Sequence, residues 1–227
     1  MKFHYTNLES CHDAIGVVVV IDVIRAFTNA AFAFSRGAKE IYPVSGVEEA
    51  LKLKAQSPNS LVCGEVGGLP PPGFDFGNSP SQTNLLDLND KVIIQRTGAG
   101  TQGITRSLKA EKMFAASFVV ANATLRGIRK LNPPDVTFVA TGQTFDGGEE
   151  DLACAEYLEA LLRGASPDPL PYLERARRSE DAKIFRDPKF PQFPEFDIDH
   201  CTSLDKFDFA MPVTRENELN VMRSIRY

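Results

Sequence analysis

The sequence predicts an α/β fold: three layers, α/β/α, with a mainly parallel or mixed sheet and an ordered C-terminal arm. Three observations carry this. IGVVVVIDV (15–23) is a continuous β-branched run, as a strand buried on both faces requires. Strand-like and helix-like stretches then alternate over the first two-thirds of the chain, the rhythm of βαβ units. From about Ser166 the composition shifts to proline, phenylalanine and aspartate. The core is expected over 1–165 and the arm over 166–227, packed together as one compact domain.

After the first strand, AFTNAAFAFSRGA sets Ala30, Phe34 and Ala38 on one helical face, with Gly37 as a stop. EIYPV (40–44) reads as a strand, VEEALKLKAQ (47–56) as a helix and SLVCGEV (60–66) as a strand. NDKVIIQRT, AEKMFAASFVV and PDVTFVAT supply three more strands, separated by the helical ITRSLKA and ATLRGIRKL. EEDLACAEYLEALLR (149–163) places Leu152, Ala155, Leu158 and Leu162 at helical spacing behind an acidic first turn. The aromatic arm ends in FDFAMPV, read as one last strand that packs the arm on the core or on a partner subunit.

At 227 residues, 43% hydrophobic and 24% charged, the chain has the make-up of an ordinary soluble globular protein. A net charge of -5 with no basic run argues against a nucleic-acid partner, and the longest apolar stretch is too short to span a bilayer. The N-terminus lacks the apolar segment of a signal peptide, and Cys11, Cys63, Cys154 and Cys201 are scattered. A reduced, cytoplasmic protein is expected, without nucleic-acid or membrane partners. Its ligand should be small.

In parallel sheets ligands sit beyond the carboxyl ends of the strands. Those ends carry Asp22 and Arg25, Glu65, the GFDFGNSP segment with Asp75, Asn78 and Ser79, and the glycine loop RTGAGTQGIT with Thr97, Gly98, Gly100 and Thr101. The last of them carries Asp146, Glu149, Glu150 and Asp151. Oxygen ligands of this kind suit Mg²⁺, which takes one or two carboxylates, waters and a substrate phosphate. Each feature also admits a purely structural role: Asp22 as a helix cap, Glu150 and Asp151 as favourable charges at a helix N-terminus, and the glycine loop as a tight turn. Their gathering at one edge makes the site hypothesis.

The glycine loop fits two phosphate-binding patterns. A P-loop needs lysine where Ile104 stands, and a dinucleotide site needs an acid at the end of the next strand, MFAASFVVANA, which has none. What remains is a backbone cradle for one phosphate or sulfonate at a helix N-terminus. His4, His12 and His200 form no zinc pattern. Six residues after Cys63 stands Leu69 rather than the arginine of cysteine-dependent phosphatases, and D-x-D-x-T and G-x-S-x-G are absent.

VIDVIRAFT (20–28), GEVGG (64–68), GFDFGNSP (73–80), TGAGT (97–101), EED (149–151) and the late DIDHC and MPV together resemble the 2-phosphosulfolactate phosphatase, or ComB-like, family. The resemblance implies Mg²⁺-dependent hydrolysis of 2-phosphosulfolactate to sulfolactate and phosphate, in a homo-oligomer, with a dimer favoured. It implies catalytic roles for Asp22, Arg25 and Glu65. Substrate contacts fall on Asn78, Ser79, Thr97, Gly98, Gly100 and Thr101, and metal contacts on Asp22, Glu65, Asp75, Glu150 and Asp151. Asp22 is the favoured base or nucleophile, and Arg25 a bidentate fork for an anionic oxygen. Two departures stand out: Val66 replaces an arginine of the family pattern G-E-R, and Gly98-Ala99 replaces Thr-Asn of T-T-N-G-T. They point to a changed substrate, or to a non-catalytic anion-binding or structural homologue as the alternative.

Overall fold

The computed structural model describes residues 1–142 and 148–227. In chain order its elements are β1 (Lys2–Asn7), β2 (Val17–Ile21), α1 (Ala26–Ser35), β3 (Glu40–Val44), α2 (Val47–Gln56), β4 (Ser60–Gly64) and α3 (Pro80–Thr83). Next come β5 (Val92–Arg96), α4 (Gly100–Arg106), β6 (Lys112–Ala116), α5 (Ala121–Leu131), β7 (Asp135–Ala140) and α6 (Glu149–Leu162). The C-terminal part holds α7 (Leu170–Arg177), α8 (Glu180–Lys183), α9 (Phe196–Cys201), β8 (Met211–Glu216) and β9 (Leu219–Met222).

The strands form one nine-stranded mixed sheet in the order β1-β7-β2-β6-β8-β9-β3-β5-β4. Two parallel blocks, β1-β7-β2-β6 and β3-β5-β4, flank the antiparallel hairpin β8–β9. The expected α/β class and three-layer arrangement are what the structure has. The C-terminal part supplies a hairpin rather than one strand, and that hairpin joins the two blocks. AEKMFAASFVV is strand only over Lys112–Ala116 and then turns into a 3-10 helix at Phe118–Val120.

Side-chain alternation shows how the layers form. Val18 and Val20 of β2 pack into one core with Ile41, Cys63 and Ile93 of the other block and with Phe27, Ala30 and Ile104. Val17, Val19 and Ile21 face the opposite way, against Ile128 of α5 and Cys154 and Leu158 of α6. On the far side, Val44, Val62 and Ile94 pack on Ala50 of α2. Helices α1 and α4 are therefore an inner layer shared by both blocks. That explains why α1 is buried from Ala26 through Phe34, since a helix apolar all round has no solvent face.

By hydrogen bonding the second block runs antiparallel to the first. Five strand steps separate β2 from β5, and at about 20–25° of twist per step the direction turns through more than about 100°. The carboxyl ends consequently meet: the amide of Gly100, just after β5, lies 2.8 Å from the carboxylate of Asp22, just after β2.

Gly103 sets how closely α4 approaches β2. A Cβ there would stand 2.6 Å from Val20 Cγ1 and 2.9 Å from Thr141 Cγ2, both on stiff β-branched side chains. Gly103→Ala would gain up to about 1 kcal/mol in helix propensity but lose about 1–3 kcal/mol to overpacking. A net loss of stability is expected in urea unfolding; an unchanged or raised midpoint would show that α4 does not depend on this close approach.

Candidate active site

The two inner helices begin at the same carboxylate. Asp22 Oδ1 accepts from the amide of Ala26, the first residue of α1, at 2.8 Å, and Oδ2 accepts from Gly100, the first residue of α4, at 2.8 Å. Gly100 must be glycine here, because its Cβ would lie 2.7 Å from Asp22 Oδ2. Two helix N-termini favour the anion, yet burial dominates and raises the Asp22 carboxyl to about 6.

Two further carboxylates tie strand ends in the same way. Asp151 Oδ1 accepts from the Val23 amide at 2.8 Å, while its Oδ2 takes Thr141 N at 2.9 Å, Gly142 N at 3.0 Å and Thr141 Oγ1 at 3.3 Å. It staples the end of β2 to the end of β7. Glu65 accepts from Gly68 N at 2.8 Å and Gly98 N at 2.5 Å, joining the end of β4 to the end of β5. Two amides of the glycine loop thus donate to carboxylates. Gly98 donates to Glu65 and Gly100 to Asp22, both carboxylates of the protein itself.

These staples line a cleft of about 280 Å³. Its polar wall carries Asp22, Glu65, Glu150, Asp151 and Asp181, and its apolar wall Ile24, Ile184, Phe185 and Phe193. Among the described residues, Arg25 is the one cationic side chain lining it. Its Nη1 donates to Asp197 Oδ2 at 2.9 Å and its Nη2 to the Gly68 carbonyl at 3.3 Å. The guanidinium lies over the rings of Phe185 and Phe193, 5.0 and 5.2 Å from their centroids, and the Ile24–Arg25 peptide bond is cis.

Glu150 is buried, and its Oε2 has no hydrogen-bond partner among the described residues. Burial, then the charge of Asp181, pushes its carboxyl up to about 8. Burial raises Asp151 well above the carboxylate range, with Glu150 and Asp22 adding to it. Asn78 Oδ1 is a second buried acceptor lacking a partner among the described residues.

Of the residues singled out in the sequence, Asp22, Arg25, Glu65, Asn78, Gly98, Glu150 and Asp151 meet on this cleft, with Ala99 beside them. Gly100 stands behind Asp22. Thr97 and Thr101 are buried and bonded to each other, Thr97 N to Thr101 Oγ1 at 2.9 Å, and hold the loop. Ser79 caps α3 and donates to Asp197 at 2.9 Å. Asp75 stands apart from the cleft lining, paired with Lys54 at 2.7 Å and accepting from Val62 N at 2.7 Å. Asp146 lies outside the described residues. Val66 is half exposed beside the cleft and is not part of its lining. Asp181, Phe185, Phe193 and Asp197 come from the proline- and phenylalanine-rich segment and were not foreseen. The available signal was DIDHC, which holds Asp197 and belongs to the family resemblance; DAKIF, with Asp181, has no helical or strand period that would place it.

Among the described residues, no group of three or more His, Cys, Asp or Glu side chains is placed to hold a metal ion. Mg²⁺ needs none, since it binds one or two carboxylates and keeps waters and substrate oxygens. The donor chemistry fits: hard oxygens, two of them buried without partners among the described residues, on a wall with several carboxylates and one already paired arginine. Asp151 Oδ2 is saturated by three donors, so the buried acceptors without a partner among the described residues are Glu150 Oε2 and Asn78 Oδ1, with Asp181 beside Glu150 on the same wall.

The raised carboxyls have a consequence for stability. The unfolded chain ionises Glu150 near 4.5, whereas the folded chain holds its proton to about 8. The folded state therefore binds more protons between these values, and stability falls as pH rises through that window. Thermal unfolding in EDTA should give a melting temperature that declines from pH 5 to pH 8. Glu150→Gln should flatten the decline; an equal slope in both proteins would contradict the burial of an ionisable Glu150.

Residues 4–216 match the family model for 2-phosphosulpholactate phosphatase. A protein of Bacillus subtilis (strain 168) named "Probable 2-phosphosulfolactate phosphatase" is 35% identical over 210 residues, covering 91% of each chain. A protein of the same name from Carboxydothermus hydrogenoformans is 39% identical over 160 residues, 70% of this chain and 65% of its own. Another, from Thermus thermophilus, is 34% identical over 218 residues, 88% of each. The match runs through every segment that lines the cleft, and the chain belongs to the 2-phosphosulfolactate phosphatase family.

Proposed function

We propose that the protein is a Mg²⁺-dependent phosphoric monoester hydrolase acting on a small anionic ester, most specifically 2-phosphosulfolactate, which it converts to sulfolactate and phosphate. The observation that carries the reading is the charge of the cleft. Five carboxylates face one arginine that is already paired with Asp197. A phosphorylated acid entering such a site meets like charge unless a cation stands between. The family names supply the ester, and the acidic wall supplies the need for metal.

The cleft volume of about 280 Å³ lies just under the roughly 300–1,000 Å³ of sites for drug-sized ligands, which suits a three-carbon acid. Glu150 and Asp181, with Glu65 close by on the same wall and the Asn78 carbonyl, would hold the ion. When bound, Mg²⁺ supplies positive charge to the phosphate oxygens and lowers the pKa of coordinated water.

The remaining chemistry falls to the chain. Hydrolysis breaks the P–O bond to the substrate carbon, adds a water oxygen to phosphorus and returns a proton to the leaving oxygen. Asp22 is held rigidly by two amides, and burial keeps its carboxyl near 6, within reach of neutral pH. That suits a group which takes a proton from attacking water. Arg25 offers its remaining N–H groups to an anionic oxygen, and Phe185 and Phe193 form an apolar side to the reacting centre. Of the two departures from the family pattern, Ala99 lines the cleft and Val66 does not. Val66 stands between the lining residues Glu65 and Gly67, so a longer side chain at this position would start at the rim of the cleft.

Phosphate release should be measured over 2-phosphosulfolactate, 2-phosphoglycerate and phospholactate, each with Mg²⁺ and with EDTA. Turnover that EDTA abolishes is expected, with 2-phosphosulfolactate preferred. Asp22→Asn should lower kcat by about 100- to 10,000-fold in protein whose circular dichroism is unchanged. Folded wild-type protein that turns over none of these esters with Mg²⁺ would overturn the reading.

A further inference from the structure

Asp197 belongs to none of the strand ends that build the cleft, and it does not line the cleft. It is nevertheless the carboxylate with the most side-chain partners around the site. Lying fully buried in α9, it accepts Arg25 Nη1 on Oδ2 at 2.9 Å. On Oδ1 it takes Ser79 Oγ at 2.9 Å, Ser81 N at 3.0 Å and Ser81 Oγ at 2.7 Å. The turn that these serines belong to carries Asn78, whose buried Oδ1 is without a partner among the described residues. Arg25 in turn lies against Phe185 and Phe193 of the segment that walls the cleft. One carboxylate therefore bonds the turn after β2 to the start of α3, and through Arg25 it reaches the aromatic wall.

We infer that Asp197 is a positioning residue of the phosphatase site: it holds Arg25 and the Asn78 turn in register with each other and acts through them without touching substrate. The inference rests on the reading of the cleft as a phosphomonoester site. A buried guanidinium needs a counter-charge, and a bidentate anion contact by Arg25 is productive only if the fork is held in orientation. With Nη1 fixed by Asp197 and Nη2 by the Gly68 carbonyl, Arg25 cannot swing toward the acidic wall. It contributes direction while adding little net charge, so the cleft stays acidic enough to require a cation.

Asp197→Asn separates the two halves of this role. Its side-chain oxygen can still accept from Ser79 and Ser81, while its NH₂ then faces the Arg25 donor. The expected result is a fall in kcat/KM of about 10- to 100-fold, carried mainly by kcat, in protein that remains folded. Arg25→Lys combined with Asp197→Asn should be no slower than Arg25→Lys alone, because the two residues act as a unit. Wild-type kcat and KM in Asp197→Asn, or losses that multiply in the double variant, would overturn the inference, as would a lowered melting temperature with kcat unchanged. If Asp197→Asn does not fold, Ser81→Ala loosens only the Asn78 turn: a several-fold fall in kcat/KM is expected, and an unaltered value would count against the role. If wild-type protein hydrolyses no ester, the phosphatase reading fails by itself. Calorimetry with inorganic phosphate and Mg²⁺ then tests Asp197, with weaker binding expected for Asp197→Asn and equal affinity overturning the inference.

Discussion

Everything around the cleft follows from burying several carboxylates where two parallel blocks of one sheet meet. A buried carboxylate is tolerated when donors surround it, and here the donors are backbone amides at strand and helix ends. Asp22 joins the start of α1 to the start of α4, Asp151 joins β2 to β7, and Glu65 joins β4 to β5. The same bonds that close the fold at this edge aim acidic oxygens into a common space. Fold and site are one set of interactions, and a residue such as Gly100 serves both by letting a helix start against Asp22.

The arrangement leaves a charge imbalance that protons relieve only in part. Asp22, Glu150 and Asp151 all have raised carboxyls, in each case chiefly through burial. Arg25 does not correct the imbalance, since Asp197 holds it in a buried pair. An anionic ester would deepen the imbalance and a divalent cation would relieve it. Cation and ester would then bind in the same cleft for one electrostatic reason, and the apolar wall of Ile184, Phe185 and Phe193 would lower the local dielectric around them.

Much of this was legible in the sequence, and the exceptions have physical causes. The Val17–Ile21 run announced a strand buried on both faces, and β3 and α2 have the bounds their patterns predict. Asp22, Glu65 and Glu150 were found because strand ends are where parallel sheets bind ligands. β1 escaped because KFHYTN is an edge strand with mostly exposed side chains and carries no apolar period. The β8–β9 hairpin escaped because its two-residue turn is Asn217-Glu218, both at positive φ, where an Asn-Gly pair would have signalled it. The glycine loop reads in sequence as a cradle for a phosphate or sulfonate, and no pattern foretells that its Gly98 and Gly100 amides bond the chain's own Glu65 and Asp22. Asp181 and Asp197 sit on short helices in an aperiodic segment, and only the tertiary fold returns Asp181 to the cleft and Asp197 to Arg25 beside it.

The central claim is that a divalent cation takes the place of protons held by the buried carboxylates. Calorimetric titration of the full chain with Mg²⁺ at pH 7, repeated in buffers of different ionisation enthalpy, tests it directly. The account predicts saturable binding whose apparent enthalpy varies with the buffer in the sense of proton release, because a raised carboxyl must lose its proton to coordinate the ion. No binding, or binding with no proton exchange, would contradict it.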